Sequence, residues 1–285
     1  MPASTIAVLS IFFGFAVLEL WRTKLFSKDE QTRDDGIVEV VSSIMLLAVT
    51  QPTIILTSAW LLGQFAPGLE GALSDINIFA AIALLLIGDD MTQYWWHRAS
   101  HTFPWLYNLH RAHHNARYMS VRLVYRNNII YYAMMPGLWI GGALLYMGLG
   151  WIYAGYLIIK MTVIIGAHSD VAWDKPLYKI KALSPIMWVV ERTISTPSTH
   201  HAHHGRHADD PGTNYKGNYG NLLFFWDVLF GTAKITRLYP TSYGVENLPK
   251  ATLGQQLAWP LFKQGTDMEA AEETETPGAA AATTN

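Results

Sequence analysis

The chain has 285 residues, 51% of them hydrophobic and only 15% charged, with a formal net charge of -2 and no cysteine. Soluble domains carry about 25% charged residues, so this balance leans toward a membrane protein. The near-neutral charge gives no footprint for nucleic acid, and the missing thiols exclude disulfides, thiolate metal sites and cysteine nucleophiles.

In chain order, five hydrophobic segments approach the roughly 20 residues of a spanning helix: 6–20, 38–62, 76–96, 129–147 and 151–167. The first lacks a basic n-region and a small-residue cleavage site, and four further segments follow it. It therefore reads as a retained anchor, not a signal peptide. The second carries Gln51-Pro52 near its middle, where a kink is tolerated because neighbouring helices satisfy the freed carbonyl. Lys160 is the one basic residue inside a span. It is either a functional group at membrane depth or a lining of the bundle interior.

Positive charge sets the orientation. The segment 21–36 holds Arg22, Lys24, Lys28 and Arg33, whereas 63–75 holds no Lys or Arg. The stretch 88–128 holds Arg98, Arg111, Arg117, Arg122 and Arg126, and the turn 148–150 holds none. Five spans then alternate with the N-terminus outside, and every histidine motif falls on the cytoplasmic face. Residues 265–285, rich in Ala, Thr, Glu and Gly, read as a disordered tail. The expected fold is all-α: a multi-pass transmembrane bundle of four to five spans with a cytosolic, histidine-rich helical cap.

All eleven histidines lie between His97 and His207. Three motifs organise them: His97-Arg-Ala-Ser-His101, His110-Arg-Ala-His113-His114 and His200-His-Ala-His203-His204. Residues three or four apart share a helix face, so each motif offers two or three imidazoles from one short element. His168, at the end of the fifth span, is a further candidate. A four-coordinate site consumes at most four protein ligands. Nine imidazoles (His97, His101, His110, His113, His114, His168, His200, His203 and His204) therefore fit two metals better than one. Imidazole suits Fe, Zn, Cu and Ni, so ligand type alone does not name the metal. His201 and His207 read as supporting or surface residues.

Asp90 and Tyr94 follow the helical spacing of His97 and His101 and are the candidate catalytic residues. Asp90 is placed to accept the second N–H of a ligand histidine; Asp89, Asp170, Glu191 and Asp227 are weaker candidates for that role. The aromatics Tyr94, Trp95, Trp96, Trp105 and Tyr107 read as a membrane-interface belt.

At these residues the sequence resembles the fatty acid hydroxylase / sterol desaturase superfamily. The matching strings are Asp90-x-x-x-Tyr94-x-x-His97-Arg98-x-x-His101 and Pro104-x-x-Tyr107-x-x-His110-x-x-His113-His114. They continue with Ser195-Thr-Pro-Ser, His200-x-x-His203-His204-Gly205-Arg206, and Asn218-Tyr-Gly-Asn-Leu followed by Trp226-Asp227 and Phe230-Gly-Thr. The similarity covers roughly 75–240, and the last two strings are similar to the alkylglycerol monooxygenase and sterol C5-desaturase branches. Asn115 and Thr199 depart from the pattern, which tends to have Ser and His there.

The resemblance implies N-terminal transmembrane helices over 1–75, a catalytic domain over 76–240 and a C-terminal segment over 241–285. It further implies two iron ions (zinc being possible as purified), O2 as co-substrate, and hydroxylation of a fatty acyl, sterol or ether lipid, with desaturation as the alternative. The chain has no dinucleotide fingerprint and no fused haem motif, so electrons are expected from a separate ferredoxin or cytochrome b5-like carrier on the basic face. A metal transporter would need ligands near the bilayer midplane. A bis-histidine cytochrome would need them within the spans, and a zinc hydrolase would add carboxylates. A missing dilysine-type terminus favours a bacterial inner membrane over the endoplasmic reticulum.

Overall fold

A computed structural model describes residues 3–263 except 24 and 27; the expected disordered tail lies outside the described residues. The chain opens with α1 (Ala3–Arg22). A long rod follows, made of α2 (Arg33–Ile44), a π-helical turn (Met45–Thr50) and α3 (Gln51–Phe65). Thr32 caps α2 through the amide of Asp35, and the Asp35 carboxylate returns the bond to Thr32, a capping box that starts the rod sharply. The π turn ends just before Pro52, where it takes up the missing backbone donor without stopping the helix.

After a loop come α4 (Ile78–Leu85), a second π turn (Leu86–Met91) and α5 (Thr92–Ser100), then α6 (Pro104–His114). The segment expected as a fourth span divides into α7 (Ile129–Met134) and α8 (Pro136–Tyr146). Met135 between them is extended, with φ -67° and ψ 114°, as a residue preceding proline prefers. The long α9 (Gly150–His168) ends on a histidine. Short helices complete the chain: α10 (Asp174–Leu177), α11 (Ser184–Thr193), α12 (Pro197–His204), α13 (Phe225–Phe230) and α14 (Leu253–Ala258). Among the described residues there is no sheet, only an isolated bridge between Gly205 and Tyr243.

Three helices among the described residues are long and apolar enough to cross a membrane: Ala3–Arg22, Arg33–Phe65 and Gly150–His168. The other two expected spans are helical but do not reach that measure. One is broken at Met135, and the other carries Asp89 and Asp90 in its π turn.

The packing suits lipid as solvent. Phe13, Leu56, Trp60, Phe65 and Phe79 are all more than 60% exposed, on the outer faces of these helices. Ser42, Thr50 and Ser58 are buried on the inner side of the rod. Without a hydrophobic drive between helices in lipid, close approach supplies the attraction. Gly142 on α8 provides it: a Cβ there would meet Ser58 Oγ of α3 at 2.7 Å. Elsewhere α1 packs along α9 through Val8, Ala16, Met161, Ile164 and Ile165.

Polar ties bind this frame to the cap. Glu19, at the end of α1, is fully buried and accepts from Ser120 Oγ, the Val121 amide, Ser169 Oγ and the Asp170 amide at 2.7–3.0 Å. Lys160 lines the bundle interior: its Nζ lies 2.5 Å from Asp89 Oδ2, which also accepts from Tyr156 OH at 2.7 Å.

Candidate metal centre

The histidine motifs converge because four helix ends meet. α5 supplies His97 and, at its C-cap, His101. α6 supplies His110, His113 and His114, α9 its last residue His168, and α12 His200, His203 and His204. Thr196 caps α12 through the Thr199 amide, and Thr199 Oγ1 accepts from the Thr196 amide. Pro197 sits at the first turn, where its missing N–H costs nothing. A helix of eight residues is thus started firmly enough to carry three ligands.

The nine rings form two groups. His97, His101, His110, His114 and His203 place one ligand nitrogen each within 4.8 Å of one another, and His113, His168, His200 and His204 do the same. All are buried except His101, which is half-buried as a residue although its Nε2 is out of reach of solvent. α6 and α12 each serve both groups, since adjacent residues such as His203 and His204 point to different sides.

Hydrogen bonding fixes the tautomers. The Nδ1 atoms of His97, His113, His168 and His203 lie 2.7–3.1 Å from the carbonyls of Tyr219, Arg126, Ile164 and Gly217. A carbonyl only accepts, so each Nδ1 carries the proton and each neutral ring turns a bare Nε2 inward. His110 Nδ1 meets Asn127 Oδ1 at 2.9 Å in the same manner.

The inward atoms test whether metals fit. The Nε2 atoms of His97, His101 and His203 are buried with no hydrogen-bond partner among the described residues. The Nε2 atoms of His113 and His168 stand 3.3 Å apart, and both are bare. Two lone pairs at that distance repel unless a cation lies between them. With metal–nitrogen bonds of about 2.0–2.1 Å, a tetrahedral N–metal–N edge spans about 3.3 Å. His168 with His200, His200 with His204, and His110 with His114 repeat the spacing at 3.0–3.2 Å.

The donor set is all imidazole. Burial, with the neighbouring rings second, holds His101, His113, His114, His200, His203 and His204 well below the usual histidine pKa. They are neutral at pH 7, which is the state a ligand requires.

The expected carboxylate partners do not reach these rings. Asp90 Oδ2 accepts from Trp226 Nε1 at 2.8 Å and from the Leu223 amide at 3.2 Å. The π turn widens the helix at Asp90, so α-helical spacing no longer fixes its face. Tyr94 is also turned to the cap: it accepts from Arg98 Nη1, and its OH lies 2.9 Å from Thr232 Oγ1. Asp89 pairs with Lys160, Asp170 with Lys28, and Glu191 with Arg237 and Arg192. Asp227 acts at one remove: it accepts from the Tyr219 and Gly220 amides and from Thr232 Oγ1 at 2.6–2.8 Å. That holds the loop whose Tyr219 carbonyl orients His97.

His201 does not join the groups. Its Nε2 donates to the Ser169 carbonyl, and its Nδ1 accepts from Tyr243 OH, which uses both nitrogens. His207 pairs with Glu246 at the surface.

A family model described as fatty acid hydroxylase matches residues 82–232, a stretch that contains all nine clustered histidines and the Tyr219 loop. The chain belongs to the fatty acid hydroxylase family. Its similarity extends to alkylglycerol monooxygenases from Danio rerio, at 28% identity over 156 residues, and from Xenopus tropicalis, at 25% over 156. The human alkylglycerol monooxygenase is 27% identical over 147 residues. These matches cover 51–52% of this fatty acid hydroxylase family member but only 29% of each relative. No solved structure matches the chain.

Proposed function

We propose that this chain is an integral-membrane, non-haem di-iron oxidoreductase that uses O2 to hydroxylate a C–H bond of a lipid. The observation that carries the reading is the pair of buried all-imidazole pockets, where His113 and His168 confront each other through bare Nε2 atoms. His97, His101, His110, His114 and His203 would hold one iron, and His113, His168, His200 and His204 the other. Bound there, iron supplies the redox chemistry toward O2 that amino-acid side chains lack.

The net reaction is R–H + O2 + two electrons + two protons giving R–OH + H2O. We assign the electrons to a carrier of the ferredoxin or cytochrome b5 type. The chain's own residues hold the Nε2 atoms bare and aimed through their carbonyl partners. Burial keeps bulk water from the pockets. The similarity to alkylglycerol monooxygenases favours hydroxylation over desaturation and makes an ether lipid of the alkylglycerol class the first substrate to try.

The test combines metal analysis with product analysis. Detergent-purified protein should carry two irons per chain, lost in the His113→Ala/His203→Ala variant. Membranes given an alkylglycerol, a reductant system and 18O2 should yield a product labelled with one 18O. A metal content unchanged by the double substitution would exclude the reading. An alkene without 18O would replace hydroxylation by desaturation.

A further inference from the structure

Water selects helices that turn apolar residues inward and charges outward. α11 does the reverse. Its buried side holds Met187 and the carboxylate Glu191, which Arg237 grips with two bonds of 2.8 Å. Its outer side carries Ile186, Trp188 and Val189, each more than half exposed. α13 packs beside it and adds Phe225, Val228 and Leu229, at 40–56% exposure.

Two further observations say what covers this face. The first is charge. Over 175–193 the acidic side chain Glu191 is buried, whereas Lys175, Lys179 and Lys181 are exposed and Arg192 lies over the Trp188 ring at 4.3 Å. The rim of the apolar face is therefore cationic. The second is position. Phe230, which ends α13, packs on Trp95 of α5 with ring centroids 4.9 Å apart. Trp95 is itself 44% exposed and continues the outward row of Ile82 and Ile87 on the same helical stretch. The patch is thus an extension of the surface that faces lipid.

We propose that α11 and α13 lie in the headgroup–acyl boundary of the cytoplasmic leaflet, with Ile186, Val189 and Leu229 among the acyl chains and the lysines on anionic headgroups. An amphipathic helix with a cationic rim and an aromatic anchor has this physics, and basic residues near an anionic surface are attracted to it. The histidine helices then have a second hold on the bilayer, from α11 before the third motif and α13 after it. The inference rests on the membrane reading of the chain alone, and its readout needs neither metal nor turnover.

The absence of cysteine makes single-site labelling clean. Ile186→Cys, Val189→Cys and Leu229→Cys would each carry a nitroxide in nanodiscs containing phosphatidylglycerol. Leu56→Cys, on the exposed face of α3, gives the lipid reference, and Asp209→Cys, in an exposed loop, the aqueous one. A parent-like unfolding temperature and a single symmetric peak on size-exclusion chromatography check that each variant is folded. We expect the ratio of O2 to nickel-chelate collision at positions 186, 189 and 229 to match Leu56 and exceed Asp209. Replacing phosphatidylglycerol by phosphatidylcholine, or combining Lys179→Gln with Lys181→Gln, should shift it toward the Asp209 value. Aqueous-type collision at all three sites would overturn the proposal. Shielding from both colliders would overturn it in favour of a second copy or a protein partner, and insensitivity to lipid charge would remove the headgroup contact.

Discussion

His113 and His168 meet Nε2 to Nε2 at 3.3 Å, each with its Nδ1 already committed to a backbone carbonyl. The pair comes from two helices 55 positions apart in sequence, so no local motif produces it. Removing either ring should open the pocket it shares with His200 and His204. We expect His168→Ala to lose at least half of the bound metal, while His207→Ala, outside both groups, loses none. Elemental analysis of the purified variants checks this.

Acid should empty the centre. The folded-state pKa of the buried rings lies below the ordinary 6.5, chiefly through burial. Between those values the unfolded chain binds protons that the fold does not, so stability rises with pH through that window. The metal-free protein should therefore keep its full stability above about pH 6.5 and lose it progressively below. The metal-loaded protein should release metal over the same descent, because protonated imidazole is no ligand. Thermal unfolding of chelated and loaded samples from pH 8 to 5 measures both; a flat profile for the chelated protein would contradict the assignment.

The Lys160–Asp89 pair offers a contrast between breaking and replacing. A buried charge left alone costs about 3–5 kcal/mol, whereas removing both partners of a pair can be nearly neutral. Lys160→Met should sharply lower the unfolding temperature in detergent, and Lys160→Met/Asp89→Asn should recover most of the loss. Failure of the double variant to recover would assign Lys160 a role beyond packing.

Asp227 steers a histidine it does not touch. Its carboxylate takes the Tyr219 and Gly220 amides, and the Tyr219 carbonyl orients His97. Asp227→Asn would turn an NH2 toward those donors. Loss of such an outer partner typically costs 10–100-fold in metal affinity, so we expect a drop of about tenfold or more in competition with a chelator, larger in the five-histidine group than in the other.

How much of this was legible in the sequence depends on which atoms carry the information. The nine rings were readable because histidine at helical spacing is a side-chain signal, and the structure brings all nine together. Their division into five and four was not, because His203 and His204 or His113 and His114 part company only in three dimensions. The acceptors that fix the tautomers were invisible as well. The carbonyls of Ile164, Arg126 and Gly217 have no residue-type signature. Asp90 misled because the π turn at Leu86–Met91 breaks the period on which its placement rested. The break at Pro136 was written in the sequence, since the residue before proline resists the helical conformation. For α11, the inverted burial of Glu191 and Trp188 needed the bound Arg237 to be seen.

Glu19 gives the first helix a meaning that anchoring alone does not. Its carboxylate gathers four donors from the two loops that flank His168 and Val121. A shortened chain made by trimming the N-terminus would strip those donors bare beside His168. Shortened or leader-swapped versions of this protein should therefore fail at metal retention before they fail at membrane targeting.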